Sequence, residues 1–486
     1  MNFQIIKRTL GWILLFEALF FLVPVITAIV YKEGEIVSFL VAMSLCIAVG
    51  VTLLIKKPTN EFIYAREGFV IASLSWIIMS IFGALPLWIS GITPSFIDAL
   101  FETVSGFTTT GATIFESGEI VEALPKSILI WRSFTHWVGG MGVLVLMMAF
   151  LPLSGARNMH IMRAESPGPT VSKLVPRVKT TAITLYGIYF VMTGSQFILL
   201  LCGGTSAFDS LNIAFSTAGT GGFSTTTDGM AGYSPYVQVV TIVFMLLFSI
   251  NFNSYYLILR KKAKEAFNTE VKVFFVIVLT AITAIAINIF LTSGALYDYT
   301  FGESVRHSAF SVASIISTTG FATENFDLWP AFSKTILVML MFVGACAGST
   351  GGGFKVSRVI ILFKGMLHEL KMMLHPKQVK KISMDKRAVE GETVRTVTFY
   401  LVAYIFIYVA SMLIISLDSS DLITNFTAVS ATINNIGPGL GAVGPIGNFA
   451  FFSNTSKIVF IFDMLVGRLE IFPMLLLLTP ATWKKN

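Results

Sequence analysis

Ser105-Gly-Phe-Thr-Thr-Thr-Gly-Ala-Thr113 decides how this chain folds, because its core returns three more times. The later copies are Thr220-Gly-Gly-Phe223, Thr318-Thr-Gly-Phe321 and Asn435-Ile-Gly-Pro438. Their anchoring glycines, Gly111, Gly222, Gly320 and Gly437, stand 111, 98 and 117 residues apart. Ser105, Ser216 and Ser314 precede three of them by six residues, and Ala431 takes that place in the fourth. Internal repetition at a near-constant period means one structural unit used four times.

What flanks each turn defines the unit. Upstream lies an apolar stretch of about two to three helical turns, too short to cross a bilayer. Beyond it on either side lie apolar runs of about 20 residues, long enough to cross as helices. The first unit reads as span 69–91, short helix 95–107, turn 109–112 and span 127–151. The second reads 181–203, 206–218, 220–223 and 236–259. The third reads 271–293, 303–316, 318–321 and 333–363, and the fourth 394–416, 420–433, 435–438 and 456–478. A half-length helix and a glycine turn between two spans form a re-entrant loop, because non-helical backbone at membrane depth is tolerated only where it is buried or lines water. Ahead of the units, residues 8–30 and 36–55 form a hairpin whose turn holds Lys32, Glu33 and Glu35.

The expected architecture is an all-α membrane protein. An N-terminal hairpin (1–60) precedes four pseudo-repeats (61–160, 161–265, 266–375 and 376–486) around one pore, with about ten full spans and four re-entrant loops. Composition agrees. Of 486 residues 55% are hydrophobic and 13% charged, against about 25% charged in a soluble protein. Lys7 and Arg8 precede an apolar run too long for a signal core and lacking a cleavage pattern, so that run is read as a span. The net charge of +7 does not mark a nucleic-acid binder. Most Lys and Arg fall in Lys56–Arg66, Arg157–Lys179, Arg260–Lys272, Lys355–Arg395 and the two termini, which one topology makes cytoplasmic. Cys46, Cys202 and Cys346 sit in apolar segments with no metal-ligand spacing, and are expected buried.

The turns carry the chemistry. A cation crossing the bilayer must shed water, and a ring of backbone carbonyls can replace it. Pointing those carbonyls inward needs unusual dihedrals, which glycine reaches at little steric cost. The half-helices aim their partially negative C-termini at the same point. The candidate ring is Thr109, Thr110 and Gly111; Thr220, Gly221 and Gly222; Thr318, Thr319 and Gly320; Asn435, Ile436 and Gly437. Carbonyls without carboxylates suit a weakly hydrated monovalent cation, potassium or rubidium before sodium.

Two further features interrupt apolar spans. Gly344-Ala-Cys-Ala-Gly-Ser-Thr-Gly-Gly-Gly353 places five glycines in ten residues. Each costs about 1 kcal/mol in a helix interior, so the helix is expected to break there. Close packing through small residues is the simpler alternative. The segment lacks the Gly-Lys-Ser/Thr ending of a phosphate loop. Arg468 lies deep in the last span, where a charge costs about 2.5–3.5 kcal/mol and points to function. The competing reading pairs it with Asp463 or Glu470. Arg132, near the start of its span, is read as a residue able to snorkel.

These strings, with Trp131-Arg-Ser-Phe-Thr-His-Trp-Val-Gly-Gly-Met-Gly142 and Asn434-Asn-Ile-Gly-Pro-Gly439, resemble the Trk/Ktr/HKT superfamily of potassium transporters, and most closely its TrkH/TrkG branch. The likeness covers the whole chain, including the hairpin. It implies potassium uptake through a gated pore in the bacterial inner membrane, with both termini cytoplasmic. It makes Gly348, Ser349, Thr350, Gly351, Gly352 and Gly353 a gating loop beneath the filter, and Arg468 an electrostatic barrier beside it. In that family a filter glycine replaced by serine accompanies sodium permeation, and all four glycines are present here. Potassium is the implied ion, with no nucleotide on this chain. The implied partners are the lipid bilayer, a second copy in a homodimer, and a cytosolic TrkA-type ring binding NAD or ATP, for which Lys355–Arg395 is a dock. The second and fourth turns depart from Thr-Thr-Gly-Phe at Gly221 and at Asn435-Ile436.

Passive flux and coupling to protons or sodium stay open, and a sodium-permeable or cation-coupled secondary transporter is the alternative. Such folds usually show inverted repeats and midmembrane acids. Here the repeats are parallel, and only Glu17, Asp463 and Glu470 are candidate embedded acids. An enzyme is disfavoured, because the five histidines form no zinc motif and no nucleophile pattern stands out.

Overall fold

A computed structural model describes residues 1–56, 64–115, 119–142, 178–292, 298–376, 382–385 and 387–484. The expected end of the first unit's second span, from 143 on, and most of the basic segment 157–179 lie outside them. The regular elements among the described residues are α-helices, short 3-10 turns and an antiparallel ribbon pairing Ser383–Met384 with Arg387–Ala388.

Among the described residues six helices are long and apolar enough to cross a membrane unaided: Phe3–Tyr31, Ile36–Leu54, Ala65–Ile89, Ala182–Cys202, Thr269–Thr292 and Gly391–Asp418. They are the two arms of the hairpin and the first span of each repeat. Within the hairpin Gly11 and Gly50 face each other, and a Cβ on either would stand 2.9–3.0 Å from the other's carbonyl oxygen. Small residues let these two backbones approach closely. The hairpin packs on Ala65–Ile89, which is 61% buried, whereas the other three first spans are 22%, 33% and 28% buried and turn most of their apolar surface outward. The turn of the hairpin also grips the first repeat. Glu33 accepts hydrogen bonds from the N–H groups of Lys126 (2.6 Å) and Ser127 (2.9 Å), which open the helix Lys126–Met141. A carboxylate there satisfies donors that a helix start leaves unpaired and meets the positive end of its dipole.

The four half-helices are Phe96–Phe107, Ala207–Gly219, Phe301–Ile316 and Leu422–Ile433, within about two residues of the expected ranges. Their starts are written in the sequence. Ser95 and Ser206 accept from the backbone N–H groups of Asp98 and Asp209, and donate to the same two carboxylates. Thr300 and Glu303 make a reciprocal capping box, and Asp421 caps Thr424. A Ser, Thr or Asp at this place, followed in the first three repeats by an acid three residues on, stops the chain from running helically out of the preceding span.

The second spans differ from expectation. Only the third was expected to break, yet the second and fourth break too. Pro235–Phe248 and Phe252–Leu259 meet at 89°. In the fourth repeat Asn454–Arg468 ends at Leu469, Glu470 and Ile471 hold positive φ, and Phe472–Leu478 follows. In the third, Ala331–Val343 gives way to the glycine run and resumes as Val356–Leu374. The first, Lys126–Met141, ends at Gly142 with φ 82°. One cysteine expectation also fails: Cys46 and Cys346 are buried, but Cys202, at the end of an outward-facing span, is exposed.

Candidate functional site

At each turn the half-helix ends in the same backbone motif. The N–H groups of Thr110, Gly221, Thr319 and Ile436 donate to the carbonyls of Ser105, Ser216, Ser314 and Ala431 at 2.8–2.9 Å. Those of Thr109, Thr220, Thr318 and Asn435 donate to Gly106, Thr217, Ile315 and Thr432 at 3.0–3.1 Å. This double closure, six-to-one over five-to-two, demands a left-handed residue after the helix cap. Accordingly φ is 56° at Thr109, 59° at Thr220, 60° at Thr318 and 53° at Asn435. Two residues on, φ is again positive at Gly111, Gly222, Gly320 and Gly437. Residues alternating between left-handed and ordinary dihedrals bring successive carbonyls to one side of the strand. Asparagine tolerates the left-handed region, but a β-branched residue there is a true outlier. Strain of about 1–3 kcal/mol per site is typical of functional backbone. Three of the four turns hold a threonine in this state.

The four turns close on one another. A Cβ at Gly111 would collide with the Gly221 carbonyl oxygen, one at Gly222 with that of Thr319, one at Gly320 with that of Ile436, and one at Gly437 would approach that of Thr110. Repeat one thus abuts two, two abuts three, three abuts four and four abuts one. The twelve residues singled out in the sequence stand together as one ring.

Hydroxyl groups behind the ring are tied to protein. Thr110 Oγ1 pairs with Thr108 Oγ1 (2.8 Å) and accepts from Asn435 Nδ2 (2.9 Å). Thr319 Oγ1 pairs with Ser317 Oγ at 2.6 Å. Two of the recurrent serines hold the strand that leaves their turns. Ser216 Oγ donates to the Phe223 carbonyl (2.8 Å) and Ser314 Oγ to that of Phe321 (2.6 Å). Above the ring opens a cavity lined by all four glycines, with Asp228 and Glu324 among its walls.

Two bracing residues go beyond the sequence reading. Arg132 does not snorkel. It is 4% exposed, pairs with Glu102 at 2.7 Å, and lies 4.1 Å from the centre of the Phe223 ring. Glu102 also accepts from Ile114 N–H (3.0 Å) and Thr113 Oγ1 (3.1 Å), pinning the strand that leaves the first turn. His136 lies within 2.7 Å of the Gly106 carbonyl through Nδ1, accepts from Phe223 N–H (3.3 Å) through Nε2, and stacks on the Phe223 ring. One helix of the first repeat therefore locks the second repeat's turn. Removing one partner of a buried pair leaves an uncompensated charge, at about 3–5 kcal/mol. Arg132→Ala is therefore expected to lower the melting temperature in detergent sharply, and Arg132→Met/Glu102→Gln together to lower it less. Equal melting of all three proteins would contradict the brace.

The glycine run lies directly beneath. Gly352 N–H donates to Thr318 Oγ1 at 2.6 Å, and Thr350 Oγ1 to the Phe248 carbonyl at 3.1 Å. Cys346 N–H donates to the Ser249 carbonyl (3.1 Å), and Phe252 N–H to that of Gly348 (3.0 Å). The run is thus stitched into the bend of the second repeat. Lys355 Nζ donates to the Gly351 carbonyl.

Arg468 is half-buried at the centre of this assembly. Its Nη1 donates to the Thr350 carbonyl (2.8 Å) and Thr109 Oγ1 (3.3 Å), and its Nη2 to the carbonyls of Gly139 (2.5 Å) and Gly140 (2.6 Å). Neither suggested acid takes it as a partner: Asp463 accepts from Ser411 at 2.7 Å, and Glu470 pairs with Arg358. Among the described residues no cluster of three or more His, Cys, Asp or Glu could hold a metal.

Comparison with known proteins follows the same outline. A family model described as cation transport protein, TrkH, matches residues 35–485. The Trk system potassium uptake protein TrkH of Halomonas elongata is 33% identical over 494 residues, and that of Escherichia coli K12 is 35% identical over 497, each covering 100% of both chains. The E. coli Trk system potassium uptake protein TrkG is 32% identical over 486 residues, 99% of each. The crystal structure of the potassium transporter TrkH from Vibrio parahaemolyticus superposes with a TM-score of 0.88 at 32% identity, covering 100% of both chains. With half-helix and left-handed turn repeated four times along its length, the chain belongs to the TrkH family of cation transport proteins.

Proposed function

We propose that this chain is the membrane subunit of a Trk-type potassium uptake system in the bacterial inner membrane. The observation that carries the reading is the cyclic ring of Gly111, Gly222, Gly320 and Gly437, each seated against the carbonyl oxygen of the next repeat. Potassium enters the upper cavity, where Asp228 and Glu324 raise the local cation concentration. It then exchanges water for the carbonyls of Thr109–Gly111, Thr220–Gly222, Thr318–Gly320 and Asn435–Gly437. The four half-helix C-termini favour positive charge at that depth. Because the ring is neutral, a monovalent ion leaves as readily as it enters, as conduction requires.

The gate in this reading is Gly348–Gly353 with Arg468. Together they occupy the path below the ring, one by backbone and the other by charge. The hairpin 1–60 and the units 61–160, 161–265, 266–375 and 376–486 are the working parts. Both termini and Lys355–Arg395 face the cytoplasm, where the basic loop docks a TrkA-type ring binding NAD or ATP. The outward apolar faces of the first spans meet lipid and, over one patch, a second copy of the chain.

Growth of a bacterial strain stripped of its potassium uptake systems tests the proposal. Expression of this chain with the cytosolic subunit of its own system is expected to restore growth at limiting potassium. A membrane-inserted chain that supports sodium accumulation but no potassium uptake would put the sodium-permeable transporter first.

A further inference from the structure

One buried carboxylate lies apart from the ring and yet touches the glycine run. Glu270 is 3% exposed in the first turn of Thr269–Thr292. Its Oε1 accepts from Ala347 N–H at 2.7 Å and from Ser357 N–H at 3.1 Å. Those two residues bracket Gly348–Gly353. One side-chain atom on the first span of the repeat thus ties together the two ends of the break in the second span.

A segment this rich in glycine has much conformational entropy to lose on ordering. Its shape is therefore set by its ties. Most of the ties come from elements of the pore itself: Ser249, Phe248, Thr318 and Arg468. The Glu270 tie has a different origin. Thr269 N–H and Oγ1 both donate to Asp385 Oδ1, at 2.7 and 2.6 Å. Asp385 sits at the tip of the ribbon Ser383–Met384/Arg387–Ala388, and Lys364 Nζ, on the helix leaving the glycine run, donates to the Ser383 carbonyl at 2.8 Å. The ribbon stands in the long basic loop, so a displacement of that loop bears on the start of Thr269–Thr292 as well as on the helix Val356–Leu374.

We propose that Glu270 is a positioning residue of the pore, a latch that holds both ends of the glycine run in the closed arrangement, with Asp385 as the cytoplasmic tie that keeps the latch in place. The latch rests on the reading of Gly348–Gly353 as the gate. Releasing Glu270 frees Ala347 and Ser357 together, leaving only the backbone bond from Val356 N–H to the Ala345 carbonyl (3.1 Å) between the two ends among the ties named here, whereas the ties to Ser249, Phe248, Thr318 and Arg468 each hold one point.

Cys346, buried beside Ala347, is a built-in reporter. The full-length chain carrying Cys46→Ala and Cys202→Ser keeps it as the single thiol. In proteoliposomes, its rate of modification by a charged methanethiosulfonate is read beside rubidium flux. Glu270→Ala is expected to raise the modification rate about tenfold or more, the fold-change that loss of a charge-assisted hydrogen bond carries. Glu270→Gln keeps an oxygen for both N–H groups and is expected to restore the parent rate. Unchanged modification in Glu270→Ala overturns the latch and leaves the gate reading untouched. Faster modification with unchanged rubidium flux overturns the gate reading instead, and with it the latch's role in the pore. Should Glu270→Ala fail to accumulate, Asp385→Ala carries the test: a rate raised about fivefold, the weight of a lost helix cap, supports the tie, and an unchanged rate overturns it.

Discussion

Gly111→Ser is expected to lower the preference for potassium over sodium about tenfold or more, equivalent to about 1.4 kcal/mol of discrimination. Gly111 has φ 78°, and its Cβ position is filled by the Gly221 carbonyl oxygen. A side chain at positive φ costs about 1–2 kcal/mol even in open space, and here the obstructing atom belongs to the ring. The strain is relieved by turning that carbonyl away from the axis, which removes one of the oxygens that replace the ion's water. The four glycines are not equivalent. A Cβ at Gly437 would stand 2.7 Å from the Thr110 oxygen, whereas those at the other three fall closer to theirs. Gly437→Ala is accordingly expected to be the mildest of the four alanine variants. Potassium and sodium flux through each, at matched protein density in vesicles, gives the order. A flat series would contradict a ring in which carbonyl position sets selectivity.

Arg468→Ala is expected to raise potassium flux through the isolated chain by about a hundredfold. A unit charge about 5 Å from a permeating ion, at an effective dielectric constant of 20, adds about 3 kcal/mol to the barrier. Arg468→Lys separates charge from structure. It keeps the charge but loses the planar fork that reaches the Thr350, Gly139 and Gly140 carbonyls together; lysine does not reproduce such an arrangement. Its flux is expected to stay near that of the parent while its melting temperature falls. If Arg468→Ala leaves flux unchanged, the guanidinium is a strut for the Gly139 and Gly140 carbonyls of Lys126–Met141.

Much of this is legible in the sequence, for a physical reason. The half-helices announce themselves because each begins with a polar cap and is followed by a glycine turn, and because four copies confirm one another. The dihedrals at Thr109, Thr220 and Thr318 are not legible. Threonine is among the residues least suited to φ near 60°, so residue preference argues against what the closed ring enforces. The bends at Ser249–Asn251 and Leu469–Ile471 contain no glycine or proline. They are held by contacts from elsewhere, such as the Phe252 and Gly348 backbones and the pairing of Glu470 with Arg358. Only the third break, with its five glycines, is local in origin. Arg132 misleads because its position near a helix end suggests a route to water, while its partner Glu102 lies on a different element. The same holds for His136, whose partners Gly106 and Phe223 belong to two different repeats.

Cation flux into proteoliposomes holding this chain, with potassium, rubidium and sodium compared in the same preparation, is the most direct test of the four-turn ring. The ring predicts potassium and rubidium flux well above sodium, and a narrowed gap in Gly111→Ser. Equal potassium and sodium flux through the unaltered chain, with Gly111→Ser indistinguishable from it, would contradict the ring as the seat of selectivity.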